Sequence, residues 1–174
     1  GKTLLIRSLL TRLDPTDQVT VLTWPTGSPA DLVREACKGF GVTLPSSHNQ
    51  LRRLHRLRRP LTRVAGLHQR SILIVDQAEN LIAENLSQLA SLIDLDSTGG
   101  RLLRIVLVAQ PQIHALLERT EFARVRQQLF GVRRIEPLTA SASRNYVEHR
   151  LRVAGCADRR LFDDAALDRI HQIA

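Results

Sequence analysis

The chain opens with Gly1, Lys2 and Thr3, the residue types that end a phosphate-binding loop of the form GxxxxGK[ST]. A glycine lets backbone N–H groups approach the phosphates, the lysine places positive charge on the β- and γ-phosphates, and the threonine hydroxyl ligates Mg²⁺. The helical pattern that follows would point its positive N-terminus at the same anion. The tripeptide can also arise by chance, but one of the only two lysines of the chain lies in it. We therefore predict a phosphate and Mg²⁺ site here, in a fragment that begins inside its loop.

Asp76 is a second candidate ligand, at the end of the apolar run 71–76 (SILIVD). An acid at the C-terminal tip of a central parallel strand lies where such sheets bind ligands. It can hold the Mg²⁺ of a nucleotide, as a Walker B acid does. The alternative interpretation is that Asp76 only caps the next helix. The presence of Lys2 and Thr3 upstream favours the Mg²⁺ role.

Gln110 is a third candidate, because it ends an apolar run and precedes Pro111. A polar side chain at this strand end would orient the attacking water, the role called sensor 1. An ordinary polar residue at the end of a strand fits the spacing equally well. Both interpretations stay open.

The elements that must position these residues alternate between apolar runs and helical patterns. The runs lack polar alternation, as do strands buried on both faces. Three strong runs and one weaker edge run predict strands, at 19–24, 71–76, 104–110 and 132–137. Helical patterns at 3–13, 30–40 and 79–95 lie between them. This alternation predicts a parallel sheet joined by right-handed crossovers, with helices on both faces.

The third helical pattern has a predicted buried stripe, and the chain after Pro137 reads as helical throughout. The stripe has apolar residues at i, i+4, i+7 and i+11, namely Ile82, Leu86, Leu89 and Ile93. The last segment contains helices at 143–155 and from 163 onward. We therefore predict two domains, an α/β core over 1–137 and the start of a small helical lid over 138–174.

Composition limits the class of protein. With 174 residues, 43% of them hydrophobic, the chain can build a packed core. The net charge of +8 favours nucleic acid, but nearly all the basic residues are arginine, which also results from a coding bias. Cys37 and Cys156 lack metal or redox spacing and are expected to be reduced, buried thiols. No apolar run approaches the ~18 residues of a membrane span and no signal peptide is visible, so we expect a cytoplasmic protein.

The segment 51–63 (LRRLHRLRRPLTR) is the most charged part of the chain. Four arginines would form one stripe if the segment were helical: Arg52, Arg56, Arg59 and Arg63. Pro60 makes a single unbroken helix doubtful. The stripe is either a contact for DNA or an acidic partner, or the solvated face of an amphipathic helix. No aromatic residue lies among the arginines to stack on bases, which argues against single-stranded nucleic acid.

These segments resemble those of a known family, the AAA+ ATPases of the ExeA/GspA type, associated with type II secretion, and their TnsC-like transposition relatives. The similar segments are ILIVDQAENL at 72–81, IVLVAQPQIHALL at 105–117, EPLTASASRNYVEHRLRVAG at 136–155 and LFDDAALDRIHQIA at 161–174. The resemblance implies a P-loop NTPase core with parallel strands in the order 5-1-4-3-2, followed by a helical lid. It also implies ATP and Mg²⁺ as ligands and assembly into a homo-oligomer.

Two positions depart from the pattern of that family. The acid that follows the Walker B aspartate, the general base of hydrolysis, is here Gln77, and an amide cannot accept the proton. Glu79 lies two residues further on, and we expect this shift to point its side chain elsewhere. The arginine that reaches the γ-phosphate of a neighbouring subunit is replaced by Gln128. Four other arginines are candidates for that role: Arg124, Arg126, Arg133 and Arg134.

The resemblance implies an ATPase that couples ATP binding to assembly of a secretion-type complex with envelope partner proteins, near the inner face of the membrane. Gln77 and Gln128 predict ATP binding with weak hydrolysis. The first alternative is a DNA-associated ATPase of the transposition type. The second is a nucleotide-binding switch without productive turnover.

Overall fold

The computed structural model describes residues 1–23, 31–45, 49–97, 100–156 and 161–173. Two compact units, Gly1–Phe130 and Gly131–Ala174, make up the chain. We predicted the boundary after residue 137. Three residues at the ends of predicted elements, Trp24, Ala30 and Ala174, lie outside the described residues.

A parallel sheet of three strands forms the centre of the first unit. Strand β2 (Ser71–Asp76) lies between β1 (Gln18–Thr23) and β5 (Arg104–Val108), and it pairs with both in parallel. All six residues of β2 are buried. The three strong strand predictions and the parallel α/β fold are confirmed.

The two faces of β2 pack against different helices. Ile72 and Ile74 contact Ile6 of helix α1 (Lys2–Leu10). The alternate residues Leu73 and Val75 belong to a larger apolar cluster on the opposite face. Side chains alternate between the faces of a strand, so the continuous apolar run of β2 is what a strand between two layers requires.

Helices α2 (Leu32–Gly39) and α3 (Gln50–Gly66) supply much of that larger cluster. Helix α3 is continuous through Pro60, so the expected break there is wrong. Proline removes one N–H donor from the helix and crowds the preceding turn. Leu57 and Leu61, one turn apart around this site, are both 0% exposed. Their burial fixes the two halves of the helix against the core and outweighs the local loss.

Helix α4 (Ala83–Ile93) begins later than predicted, after a 3₁₀ turn at Ala78–Asn80. Its buried residues are Asn85, Leu86, Gln88, Leu89 and Leu92. The predicted stripe is confirmed at Leu86 and Leu89, and the partly buried Ile93 packs against the same cluster, but Ile82 is 39% exposed, so the stripe is wrong at its first residue. Gln88 explains why the buried face of α4 includes a polar residue, because its Oε1 accepts a hydrogen bond of 2.7 Å from the Leu32 N–H. That bond satisfies a free donor at the start of α2.

Four short elements were not predicted. They are the antiparallel pair β3 (Asp96–Ser97) and β4 (Gly100–Arg101), and helices α5 (Ile113–Leu117) and α6 (Ala123–Gln127). Ile113, Leu117 and Val125 extend the larger apolar cluster. No helix among the described residues is long and apolar enough to span a membrane.

The second unit contains helices α7 (Ala140–Val153) and α8 (Asp164–Ile173). Arg144 joins them, with Nη1 at 2.6 Å from Asp164 Oδ1 and Nη2 at 2.9 Å from Asp168 Oδ1. The expected edge strand at 132–137 is wrong, because the segment forms no strand and all its residues are exposed. Its apolar side chains are separated by two arginines, so it has no continuous apolar face to bury.

The close approach of α2 to β1 gives a test of the core. A Cβ added at Gly39 would lie 2.1 Å from Thr20 Cγ2, and Thr20 is 6% exposed. We expect Gly39→Ala to lower the free energy of unfolding by about 1–3 kcal/mol through overpacking. The better helix propensity of alanine offsets less than about 1 kcal/mol of this.

Urea unfolding of the full-length protein would measure the change. Thr20→Ser removes the methyl group that the added Cβ would meet. In the Thr20→Ser background, Gly39→Ala should therefore lower the free energy of unfolding by much less than it does in the parent protein. A Gly39→Ala protein as stable as the parent would contradict the close packing of α2 against β1.

Candidate functional site

Asp76 lies at the carboxyl end of β2, at the level of Thr23 on β1 and Val108 on β5. It is 7% exposed, so its carboxylate is largely removed from water. Its Oδ1 accepts a hydrogen bond of 2.9 Å from the N–H of Gln77. Asp76 is thus held by the strand end itself, at the edge of the sheet where parallel sheets bind ligands.

Gln77 turns the chain sharply after the strand. Its backbone has φ 58° and ψ 38°, the left-handed region that a residue other than glycine occupies at a cost of about 1–2 kcal/mol. The residue is exposed, and its Oε1 accepts a hydrogen bond from Asn80 Nδ2 at 3.5 Å. The next residue, Ala78, is fully buried in the core. The turn therefore places Gln77 outward and returns the following residues to the sheet edge.

Glu79 faces the same edge of the sheet as the phosphate-loop lysine. Its Oε1 lies 3.4 Å from Lys2 Nζ, and its Oε2 accepts a hydrogen bond of 3.1 Å from the Gln110 N–H. The carboxylate side chain is only 12% exposed. The expectation that a two-residue shift points Glu79 elsewhere is therefore wrong. The left-handed turn at Gln77 and the burial of Ala78 together bring Glu79 back to Lys2.

The Glu79 carboxylate is held in its charged form. Burial is the largest influence on its pKa and acts to raise it. Hydrogen bonds from the backbone N–H groups of Glu79 itself and of Gln110, with the charge of Lys2, act in the other direction. They outweigh burial, so the pKa of Glu79 lies below its ordinary value. A carboxylate with a lowered pKa is a weak base but a good partner for cations.

The N-terminus of α1 presents the other predicted residues. Gly1 immediately precedes the helix, as the N-cap residue. Lys2 has a side chain that is 32% exposed, and Thr3 is exposed. The backbone N–H groups of a helix N-terminus, with a lysine beside them, can bind a phosphate. These residues fit the polyphosphate of a nucleotide.

Direct contacts join Lys2, Glu79 and the backbone of Gln110, and Asp76 is three residues before Glu79 in the chain. Gln110 contacts Glu79 through its backbone N–H, while its side chain is exposed, so the side-chain amide is accessible to a ligand. Within the described ranges, no three His, Cys, Asp or Glu side chains converge as a metal cage. Mg²⁺ is commonly bound through one or two carboxylates together with substrate phosphates, and Asp76 places a carboxylate at this edge of the sheet.

Arg101 was missed by sequence reasoning, and it lies beside the position that lacks the expected arginine. Its Nη2 donates a hydrogen bond of 3.1 Å to Gln128 Oε1. Its guanidinium also lies over the ring of Phe130, 4.4 Å from the centroid. The sequence gives no sign of this contact, because Arg101 and Gln128 are 27 residues apart and come together only in the folded chain.

Three of the other candidate arginines have partners within their own unit. Arg124 pairs with Asp94 at 2.9 Å, and Arg134 pairs with Glu136 at 3.3 Å. Arg126 Nη1 donates to the carbonyl oxygens of Leu117 and Glu118, at 3.2 and 3.3 Å. Arg133 is exposed in the second unit.

The chain is similar to known proteins both in sequence and in fold. The family described as AAA domain matches residues 1–117. Over 174 residues the chain is 27% identical to general secretion pathway protein A of Aeromonas hydrophila, covering 100% of this chain and 32% of that protein. The chain thus spans about a third of the length of this curated relative.

Two solved structures share the fold. The ORC2 protein of Aeropyrum pernix, solved as ADPNP-ADP complexes, superposes with a TM-score of 0.63 at 15% identity, covering 88% of this chain and 42% of that one. Cdc6p of Pyrobaculum aerophilum superposes with a TM-score of 0.70 at 18% identity, covering 100% of this chain and 45% of that one. At these identities the likeness concerns the fold alone.

The pKa of Glu79 gives a test of this site. We expect Lys2→Ala to raise the pKa of Glu79. Burial raises this pKa, and the variant removes the lysine charge and hydrogen bond that lower it. Carboxyl ¹³C chemical shifts followed across pH would measure the change, with Glu79→Gln identifying the resonance. Lys38→Ala removes an exposed lysine that pairs with Glu35 and should leave the Glu79 titration unchanged. An unchanged pKa in Lys2→Ala would contradict the contact between Lys2 and Glu79.

Proposed function

The chain belongs to the AAA domain family, and on that basis we propose that it binds ATP with Mg²⁺ at the carboxyl end of β2 and hydrolyses it slowly. The observation that carries the proposal is the contact of Lys2 with Glu79, next to Asp76 and the Gln110 backbone. A cation, a largely buried acid and a helix N-terminus meet at one sheet edge. This combination suits a polyphosphate and its metal ion.

Lys2 has two possible anionic partners in this proposal. Without nucleotide its ammonium group pairs with Glu79. The β- and γ-phosphates carry more charge than a carboxylate, so they displace Glu79 from Lys2. Thr3 and Asp76 would hold the Mg²⁺, which screens the phosphate charge. Glu79 then keeps its hydrogen bond from the Gln110 N–H and remains at the sheet edge.

Glu79, rather than Gln77, is the group we propose as general base. Gln77 is an amide that points outward from the turn and cannot take a proton. Glu79 is ionised, nearly buried and directed toward the lysine that would contact the γ-phosphate. Its lowered pKa makes it a weak base, which predicts slow hydrolysis. The exposed side chain of Gln110 would orient the attacking water.

Binding and steady-state hydrolysis of ATP by the full-length protein test these roles. Lys2→Ala should abolish ATP binding, because it removes the charge that the phosphates need. Gln77→Glu should leave kcat nearly unchanged, because the turn directs the side chain at position 77 outward, away from Lys2. Glu79→Gln should reduce kcat by roughly 10²-fold or more, the usual contribution of a general base. It should also tighten ATP binding, because the competing partner of Lys2 loses its charge.

The opposite signs in Glu79→Gln separate a catalytic base from a structural residue, which would change neither quantity selectively. Glu84→Gln is the matched control, since Glu84 is an exposed acid in the first turn of α4. Brisk hydrolysis by Glu79→Gln would refute Glu79 as the base. Failure of the parent protein to bind ATP would refute the proposed function as a whole.

The proposed role of the nucleotide is to drive assembly of a secretion-type complex by a homo-oligomer. The likeness to general secretion pathway protein A supports this role. The alternative is a DNA-associated ATPase, and a nucleotide switch without turnover is the third possibility. The three differ in the partner that nucleotide binding recruits. The partner is an envelope protein in the first case and DNA in the second, and in the third it is a protein that responds to nucleotide binding alone, without hydrolysis.

In such an oligomer we propose that Arg101 supplies the arginine that reaches a neighbouring subunit. Its hydrogen bond to Gln128 and its contact with Phe130 hold the guanidinium at an exposed position. Phe130 is 86% exposed, so the pair forms a surface feature of the first unit. An arginine delivered in trans stabilises the charge that develops during phosphoryl transfer.

Mixed oligomers test whether Arg101 acts in trans, and single-turnover assays with labelled ATP make the slow hydrolysis measurable. Arg101→Ala should lower kcat by roughly 10³-fold or more while ATP still binds. Adding subunits with Lys2→Ala, which keep Arg101 but bind no ATP, should restore part of the activity. Arg104→Ala, an exposed neighbour, is the control. An Arg101→Ala protein with normal kcat would show that this residue is not the trans-acting arginine.

A further inference from the structure

Helix α3 has a face made of arginine. Arg52, Arg56, Arg59 and Arg63 are all exposed and follow each other at intervals of one turn. The distance from the first to the last is eleven residues, or about 16 Å of helix. We call these four side chains the arginine face. The opposite side of α3 carries Leu57, Leu61 and Val64, which are 0%, 0% and 3% exposed.

The arginine face is electrostatically uncompensated. Helix α3 contains no acidic residue. Like charges four residues apart destabilise a helix by about 0.2–0.5 kcal/mol per pair, and the face contains two such pairs, Arg52 with Arg56 and Arg59 with Arg63. In the described part of the chain, none of the four arginines has an acidic partner. A fold that keeps such a row of charges at the surface has a ready site for a polyanion.

Several arginines outside the arginine face have acidic partners. Arg53, on the same helix but at its inner edge, pairs with Asp31. Arg70 pairs with Asp17, and Arg124 pairs with Asp94. A coding bias toward arginine explains how many arginines the chain contains, but it does not explain why four of them form one exposed row on a helix that has no acidic residue.

We propose that the arginine face binds the phosphate backbone of duplex DNA without regard to sequence. Guanidinium groups bind phosphates through paired N–H donors and are weakly hydrated, so they suit a row of phosphodiesters. Backbone contacts fix a protein on DNA but carry no sequence information. The proposal does not rest on ATP binding, because α3 contributes none of the residues assigned to the nucleotide.

Two other polyanions fit the same face less well. Single-stranded nucleic acid is bound through aromatic side chains that stack on bases, and the segment 49–69 contains no Phe, Trp or Tyr. A membrane-surface helix buries its apolar face in the lipid. The apolar face of α3 is already buried against the core, so only the charges are available.

Fluorescence anisotropy with a labelled 30-bp duplex, in the full-length protein without nucleotide, tests the proposal. Four phosphate contacts should give a slope of about −3.6 in log K against log[salt], since each contact contributes about −0.9. Each single Arg→Gln change in the face should reduce this slope by about 0.9. The quadruple variant should lose at least tenfold in affinity at 50 mM salt.

The matched control changes four exposed arginines elsewhere to glutamine, Arg12, Arg104, Arg150 and Arg152. It removes the same net charge, so it should retain most of the affinity. Thermal unfolding checks the fold, and the quadruple variant should be at least as stable because like-charge repulsion is removed. If the quadruple variant does not fold, the salt dependence of DNA affinity in the four single Arg→Gln variants tests the proposal instead.

Four results would overturn the proposal. The first is no duplex binding at 50 mM salt, and the second is an equal loss of affinity in the control variant. The third is binding to a single strand of equal length that is as tight as binding to the duplex. The fourth is binding only to phosphatidylserine vesicles, which would assign the face to a membrane surface.

Discussion

Burial of β2 on both faces is the constraint on which the rest of the described core depends. Ile72 and Ile74 face α1, while Leu73 and Val75 face the layer that contains α2 and α3. A charged side chain in the middle of this strand would lose its hydration without a partner. The carboxyl end is therefore the first place where β2 can present an acid, and Asp76 occupies it. The position of the site follows from the packing of the strand.

The same packing decides which acid faces Lys2. Ala78 must enter the core immediately after the strand, and the left-handed backbone of Gln77 makes this possible. Once the chain has turned in this way, Gln77 is directed outward and Glu79 returns to the sheet edge. Proximity along the sequence to Asp76 is thus a poor guide to proximity in space. An amide at position 77 costs the site less than its place in the motif suggests.

Sequence patterns were sufficient where local chemistry decides the structure. The buried run 71–76 and the helix after Gly1 are recognisable because burial and periodicity leave direct marks in residue types. Gln88 shows why the buried stripe of α4 was misjudged, because its amide is buried to bind a backbone group 56 residues away. The turn at Gln77 was equally unreadable, since glutamine is not a residue that indicates a left-handed conformation. In both cases a long-range partner overrules the local pattern.

Helix α3 and β2 share one apolar cluster, and this limits how the arginine face can communicate with the nucleotide site. Leu61 and Val64 of α3 belong to the same cluster as Leu73 and Val75 of β2. Coupling between two sites requires an element with two discrete arrangements that both sites bias. A helix anchored by fully buried leucines, and by the pair of Arg53 with Asp31, is not such an element. Any effect of DNA on nucleotide turnover would therefore have to come from the arrangement of whole subunits beside one another, the level at which the proposed role of Arg101 also lies.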